Sequence, residues 1–228
     1  MEAVFSNFDE YLKAFGLTLG LFVVSGLASL VFGLFLASLR VGPVGIMRKA
    51  AAVYVTVFRN TPLLMIFIFM AVAMPKLGYN FKFIEDFEIA GYSVSAFFFR
   101  SCLALTLYTS AFVAEAFRSG VNAVPVGQAE AGRAIGLTFT QSMRYVVLPQ
   151  ALRAVVPPLT SVQVALIKNT SVAAAFGMAE AVATMRAFNN DNADQRIQIF
   201  LLFAIGYILI VEVVSLASYA LERRWKVA

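Results

Sequence analysis

Residues 130–149 read EAGRAIGLTFTQSMRYVVLP, from Glu130 to Pro149. This charged, glycine-punctuated stretch interrupts a chain that is otherwise close to continuous membrane sequence. Of 228 residues, 61% are hydrophobic and only 14% are charged, too apolar for an ordinary soluble domain. A polar segment of this length, rich in helix formers and arginine, offers a soluble partner something to grip.

Outward from this stretch, five apolar segments are each long enough to cross about 30 Å of hydrocarbon. They lie at about 14–38, 52–75, 96–117, 155–176 and 198–221. The first is not expected to be a cleaved leader, because Glu2, Asp9 and Glu10 stand where a basic region belongs. The fold class expected is therefore an all-α integral membrane protein with five transmembrane helices, a single transmembrane domain over 1–228.

Basic residues set the orientation. With the N-terminus outside, Arg40, Arg48, Lys49, Arg118, Arg133, Arg144, Arg153, Arg223, Arg224 and Lys226 all fall inside. Lys13, Lys76, Lys82, Arg186 and Arg196 fall outside, diluted by Glu85, Asp86, Glu88, Asp191 and Asp194. That bias predicts N-terminus out and C-terminus in. The net charge of +5 thus reports topology, and no nucleic-acid partner is expected. An odd span count leaves no room for an inverted repeat within the chain, so a two-fold pathway needs a second subunit.

The Glu130–Pro149 stretch then belongs to an inner loop of about 119–153. Gly120, Pro125 and Gly127 break the chain, residues 128–135 favour helix, and Gly136 is a natural C-terminal cap. A second helical stretch, about 138–148, is expected to end at Pro149. The reading is a short helix mounted between two spans, with Ala129, Ala131 and Gly132 small enough for close approach by another surface.

The loop resembles the signature of permease subunits of bacterial ATP-binding-cassette importers, E-A-A-x3-G-x9-I-x-L-P. Glu130, Ala131, Gly132, Gly136, Val146, Leu148 and Pro149 stand at its spacing, with Gly for the third residue and Val for Ile. Gly132 costs the helix about 1 kcal/mol relative to Ala. FRNTPLL (58–64), LYTSAFVAEAFRSGVNAVPVGQAEAG (107–132) and LPQALRAVVPPLTS with LIKNTSVA (148–173) resemble the polar amino-acid branch, most of all glutamate/glutamine-type permeases.

That resemblance implies a type I importer permease (MetI-like) fold in the bacterial cell membrane. It also implies a second permease, identical or homologous, two cytoplasmic ATPase copies that bind ATP and Mg, and an extracytoplasmic substrate-binding protein. Gln128, Ala129, Glu130, Ala131, Gly132, Arg133 and Gly136 would couple to the ATPase. In its own loop, Glu130 has the alternative of pairing with Arg133 or Arg153. No phosphate-binding Gly-rich loop with Lys and Ser/Thr occurs, so this chain itself is not expected to be an enzyme or to hold a cofactor. With no His and one Cys, Cys102, an intrachain disulfide or a Cys/His metal site is excluded.

Ionisable residues at membrane depth are costly and mark function. Pro157 and Pro158 suit the first turn of the fourth span, which places Lys168 about 20 Å beyond Val155. On a helix Thr160, Gln163 and Thr170 share one stripe, with Ser161, Lys168 and Ser171 beside it. Gln163, Lys168, Asn169, Thr170 and Ser171 are therefore the candidate substrate pathway, in which the Lys168 ammonium meets an amino-acid carboxylate or braces the bundle. By depth, Glu212 lies about 10 Å from Lys168, and Arg59 is matched instead to Glu212 or Glu115 as a structural ion pair. Asn60 and Thr61 before Pro62 predict a kink. Gly16, Gly20, Ser25, Ser29, Gly33 and Ala37 make a small-residue ladder for packing within or between subunits. An ion-coupled secondary amino-acid transporter is the competing function, with Lys168, Glu115 or Glu212 in the coupling role. A passive scaffold would not explain the polar face.

Overall fold

In the computed structural model, which describes residues 2–79, 87–89 and 92–225, helices dominate. Lys82, Glu85, Asp86 and Lys226, used above in the charge bias, lie outside the described residues. A first short helix, α1 (Glu2–Ser6), precedes α2 (Phe8–Val41). Next come α3 (Gly45–Asn60), α4 (Leu63–Ile68), a π-helical turn (Phe69–Ala73) and α5 (Met74–Lys76). The hairpin β1 (Phe87–Ile89) and β2 (Tyr92–Val94) pairs antiparallel with Glu88 opposite Ser93. It is a small exception to the all-helical expectation.

After the hairpin run α6 (Ala96–Asn122), α7 (Val126–Ala134), α8 (Phe139–Ser142), a second π turn (Met143–Val147) and α9 (Leu148–Asn169). A 3-10 segment (Thr170–Phe176), α10 (Ala181–Asp191), a 3-10 turn (Ala193–Gln195) and α11 (Arg196–Trp225) complete the chain.

Among the described residues four helical stretches are long and apolar enough to cross a membrane: 8–41, 96–122, 139–176 and 193–224. The fifth expected span, 52–75, is a pair of helices bent by 101° between Asn60 and Leu63. Pro62 lacks a backbone donor and holds Thr61 extended, which breaks α3 from α4. The expected kink is thus a near right angle, and the span count is five only with the bent pair taken as one.

Two other expectations about proline need correction. Pro157 and Pro158 do not open a helix; they lie well inside α9. The carbonyls that lose a donor there belong to Arg153 and Ala154, both exposed, so neither is buried unsatisfied. The stretch at 138–148 does not end at Pro149 either. Leu148 N–H bonds the Met143 carbonyl five residues back, and the helix continues beyond Pro149. The same device precedes Pro75, where Met74 N–H bonds Phe69 O. A π turn shifts the bonding register just before a residue that cannot donate.

The core lies where α2, α4, α6 and α9 meet, around Leu21, Phe67, Leu105 and Leu166. The small-residue ladder works inside this one chain. A Cβ on Gly33 would overlap Val113 and approach Ser110 O of α6 to 2.9 Å, and Ser25 and Ser29 are fully buried. Ser25 satisfies its hydroxyl on Leu21 O and Ser29 on Gly26 O, at 2.9 Å for the latter. A second cluster joins Phe15, Ala181, Phe188, Ile199 and Phe203, seating α10 between α2 and α11.

Candidate functional site

The loop that decided the fold forms a compact unit. Helix α7 begins two residues earlier than expected, after Pro125, and ends at Gly136 with φ +90°. Gly136 N–H bonds Arg133 O at 2.9 Å and Leu137 N–H bonds Gly132 O at 3.1 Å, a Schellman motif that only a left-handed residue closes well. Thr138 then caps α8 with a reciprocal bond to Gln141.

Gly132 is the buried residue of α7. A Cβ there would stand 3.1 Å from Ser142 Oγ, 3.5 Å from Leu137 and 3.6 Å from Val146. The departure from Ala in the motif therefore lets α7 rest directly on the following turn. Gln128, Glu130, Ala131, Arg133 and Gly136 are exposed, and Ala129 is half-buried. Glu130 forms no ion pair among the described residues, with Arg133 and Arg153 included. Large apolar side chains flank this surface: Val126 is 73% exposed, Ile135 80% and Phe139 67%. The sequence reading missed all three, although an apolar residue beside a polar exposed helix is a legible signal.

A second constellation gathers at Glu115 on α6. Arg118, one turn on, donates to Oε1 from Nη2 at 2.8 Å and from Nε at 3.1 Å. Arg40 from α2 donates to Oε2, and Arg59 at the end of α3 stands 3.8 Å from the same oxygen. Arg59 also lies over the Phe112 ring, 5.6 Å from its centroid. Three helices are thus tied to one carboxylate. Glu212 does not join them: it sits exposed on α11 and makes no ion pair among the described residues. Arg40 went unrecognised because depth along a helix carries no azimuth, whereas Arg118, three residues from Glu115 on one helix, was legible as an i,i+3 pair. Glu115→Gln is expected to lower thermal stability in detergent by about 2 kcal/mol, and Arg59→Met, a half-exposed partner, by less than about 1 kcal/mol. Equal losses would refute the ranking.

The polar residues of α9 are not brought together. Gln163 faces α2 and α11 in a cleft of about 350 Å³ with Phe22, Gly26, Thr160 and Ser218, and its Nε2 has no partner among the described residues. Asn169 faces the other way, into a cleft of about 230 Å³ with Ser161 and Ala165 of α9 and Tyr108, Thr109 and Phe112 of α6. The Thr109 hydroxyl on that wall is buried and without a partner among the described residues. Lys168 is exposed, two turns from Ser161 on the same side of α9. It makes no bracing bond among the described residues. Ser171 donates to Lys168 O at 2.6 Å. Thr170 is fully buried and donates to Ile167 O at 2.7 Å. A 3-10 segment starts at Thr170 and changes the rotation per residue, so Thr170 and Ser171 leave the α9 stripe.

Sequence reading also missed Glu180, which is fully buried. Its Oε1 caps α10, accepting from Val182 N at 2.9 Å and Ala183 N at 3.1 Å. Its Oε2 accepts from Tyr207 Oη at 2.9 Å and lies 3.4 Å from Thr18 Oγ1, which itself accepts from Ala181 N. One side chain fixes α2, α10 and α11 to one another. Among the described residues no group of three His, Cys, Asp or Glu side chains could hold a metal ion.

Against known proteins, the family described as "Binding-protein-dependent transport system inner membrane component" matches residues 29–227. The glutamate transport system permease protein GluC of Corynebacterium glutamicum is 36% identical, over 93% of this chain and 92% of its own length. The probable glutamine ABC transporter permease protein GlnP of Bacillus subtilis is 35% identical over 92% and 91%. A crystal structure of an amino acid ABC transporter with histidines superposes with TM-score 0.84 at 24% identity, covering 97% of this chain and 96% of that one. That last likeness is one of fold.

Proposed function

The chain belongs to the family of binding-protein-dependent transport system inner membrane components, and we propose that it is the permease subunit of an ATP-driven amino-acid importer of the bacterial cell membrane. Glutamate or glutamine is the proposed cargo, following the relatives that bear those names. The observation that carries the reading is α7, a short helix seated on one glycine and otherwise offered to a partner. Its exposed polar face and the flanking Val126, Ile135 and Phe139 form the surface on which a cytoplasmic ATPase would sit. ATP and Mg belong to that ATPase, two copies per complex. Orientation follows the basic bias, N-terminus out and C-terminus in. A second permease completes the pathway, and an extracytoplasmic binding protein delivers cargo.

Within the pathway, the cleft between α6 and α9 offers Asn169, Ser161 and the unpartnered Thr109 hydroxyl to the polar groups of an amino acid. Lys168 stands on the same side of α9 to attract the carboxylate. The test is reconstitution of the complete complex in proteoliposomes. Glutamate or glutamine is expected to raise ATP hydrolysis and to accumulate only with ATP, and Lys168→Met is expected to remove most uptake while the complex purifies intact. Uptake that needs no ATPase and follows a proton or sodium gradient would overturn the reading in favour of a secondary transporter. Loss of the assembled complex in Lys168→Met would make that residue a brace.

A further inference from the structure

Helix α11 presents two faces. One packs on α2, α9 and α10, with Ile199 and Phe203 almost fully buried. The other is an exposed apolar stripe in which Leu201, Ile205, Ile208, Leu209, Leu216 and Tyr219 are each 47–63% exposed. Glu212 stands in the middle of that stripe by helical rotation, is itself exposed, and has no hydrogen bond or ion pair among the described residues. The apolar run continues from Ile197 to Leu221. Glu212 is nine residues from its nearer end, about 13 Å at helical rise.

At that depth the carboxylate has no partner of its own chain among the described residues. Its short side chain does not reach the interface from there, and an ionised group facing hydrocarbon is strongly unfavourable. Lipid therefore does not satisfy this stripe, and neither does an exclusively apolar helix. What does fit is a helix that is apolar along its contact and carries one cationic or strongly donating side chain opposite Glu212.

We infer that the Glu212 stripe of α11 is the seat of a transmembrane helix of the second permease, and that this helix brings a basic side chain to Glu212. The inference rests on the importer reading, which requires a second permease, and adds the surface and the chemistry by which that subunit is held.

A photo-activatable amino acid placed at Leu216 in the full complex, irradiated in native membranes, tests the contact without disturbing the charge. An adduct with the second permease is expected; adducts with lipid alone or with any other protein overturn the assignment. The charge is tested separately. Glu212→Lys is expected to reduce the second permease recovered with this chain by about tenfold, a difference of 1.4 kcal/mol, while Glu212→Gln, which keeps hydrogen-bonding capacity, retains it. Recovery unchanged in Glu212→Lys overturns the role of the carboxylate even if the adduct forms. If the unsubstituted chain recovers no second permease at all, the importer reading itself fails, an outcome distinct from a complex that assembles through another surface.

Discussion

A Gly132→Leu variant is expected to remain in the membrane with its spans assembled and to lose most ATP-driven uptake. The residue lies on α7, outside every membrane-spanning helix, so its substitution leaves the apolar core of Leu21, Phe67, Leu105 and Leu166 untouched. At its own site the effect is direct. Ser142 Oγ, Leu137 and Val146 already surround the position where a Cβ would begin, at 3.1–3.6 Å. A branched side chain there forces α7 off its seat, an overpacking of about 1–3 kcal/mol. In the docking role proposed for it, α7 off the turn leading into α9 cannot pass a rigid-body movement to that helix. The measurement is ATP-driven uptake beside ATP hydrolysis in reconstituted complexes: hydrolysis without transport is the expected signature. Transport at the normal rate would show that the seat of α7 does not carry the movement. Gly132→Ala is the mild companion, in which a gain in helix propensity opposes a few tenths of an ångström of displacement at Ser142.

The largest loss of stability is expected from Glu180→Ala. Removing the carboxylate uncaps α10, worth about 1 kcal/mol, and takes the buried acceptor from the Tyr207 hydroxyl, while Thr18 keeps its bond to Ala14 O. An orphaned buried group costs about 1–3 kcal/mol, so the sum is about 2–4 kcal/mol. Thermal unfolding of the purified protein in detergent reads this directly. Glu180→Gln keeps one carbonyl oxygen for the cap and should recover part of the loss. A variant that unfolds within experimental error of the parent would remove Glu180 from the framework.

What the amino-acid sequence reveals here depends on range. Spans are legible because twenty apolar residues announce themselves locally, and the Gly136 cap is legible because a left-handed turn has few alternatives to glycine. Asn60–Pro62 announces a break but not its angle, which depends on where α4 finds the core. Glu180 was invisible because its partners, Thr18 and Tyr207, lie 162 and 27 residues away, and an acid between two apolar runs reads as a loop residue. The polar residues of α9 were seen as one face, yet Gln163 turns to α2 and α11 while Asn169 turns to α6. A helical wheel gives the angle between them and says nothing of which neighbour fills each side. Arg59 and Glu115 illustrate the same limit: depth selected the right pair of candidates and left Arg40 unseen.

The arrangement around Glu115 is a hub with three spokes, and hubs fail asymmetrically. Deleting Arg40 or Arg59 loosens one helix from the centre and deleting Arg118 loosens none, whereas deleting the hub sets three like charges against each other. A genetic selection for restored activity in a Glu115 loss should therefore return second-site changes that neutralise Arg40, Arg59 or Arg118, and a loss of any single arginine should need no suppressor at all.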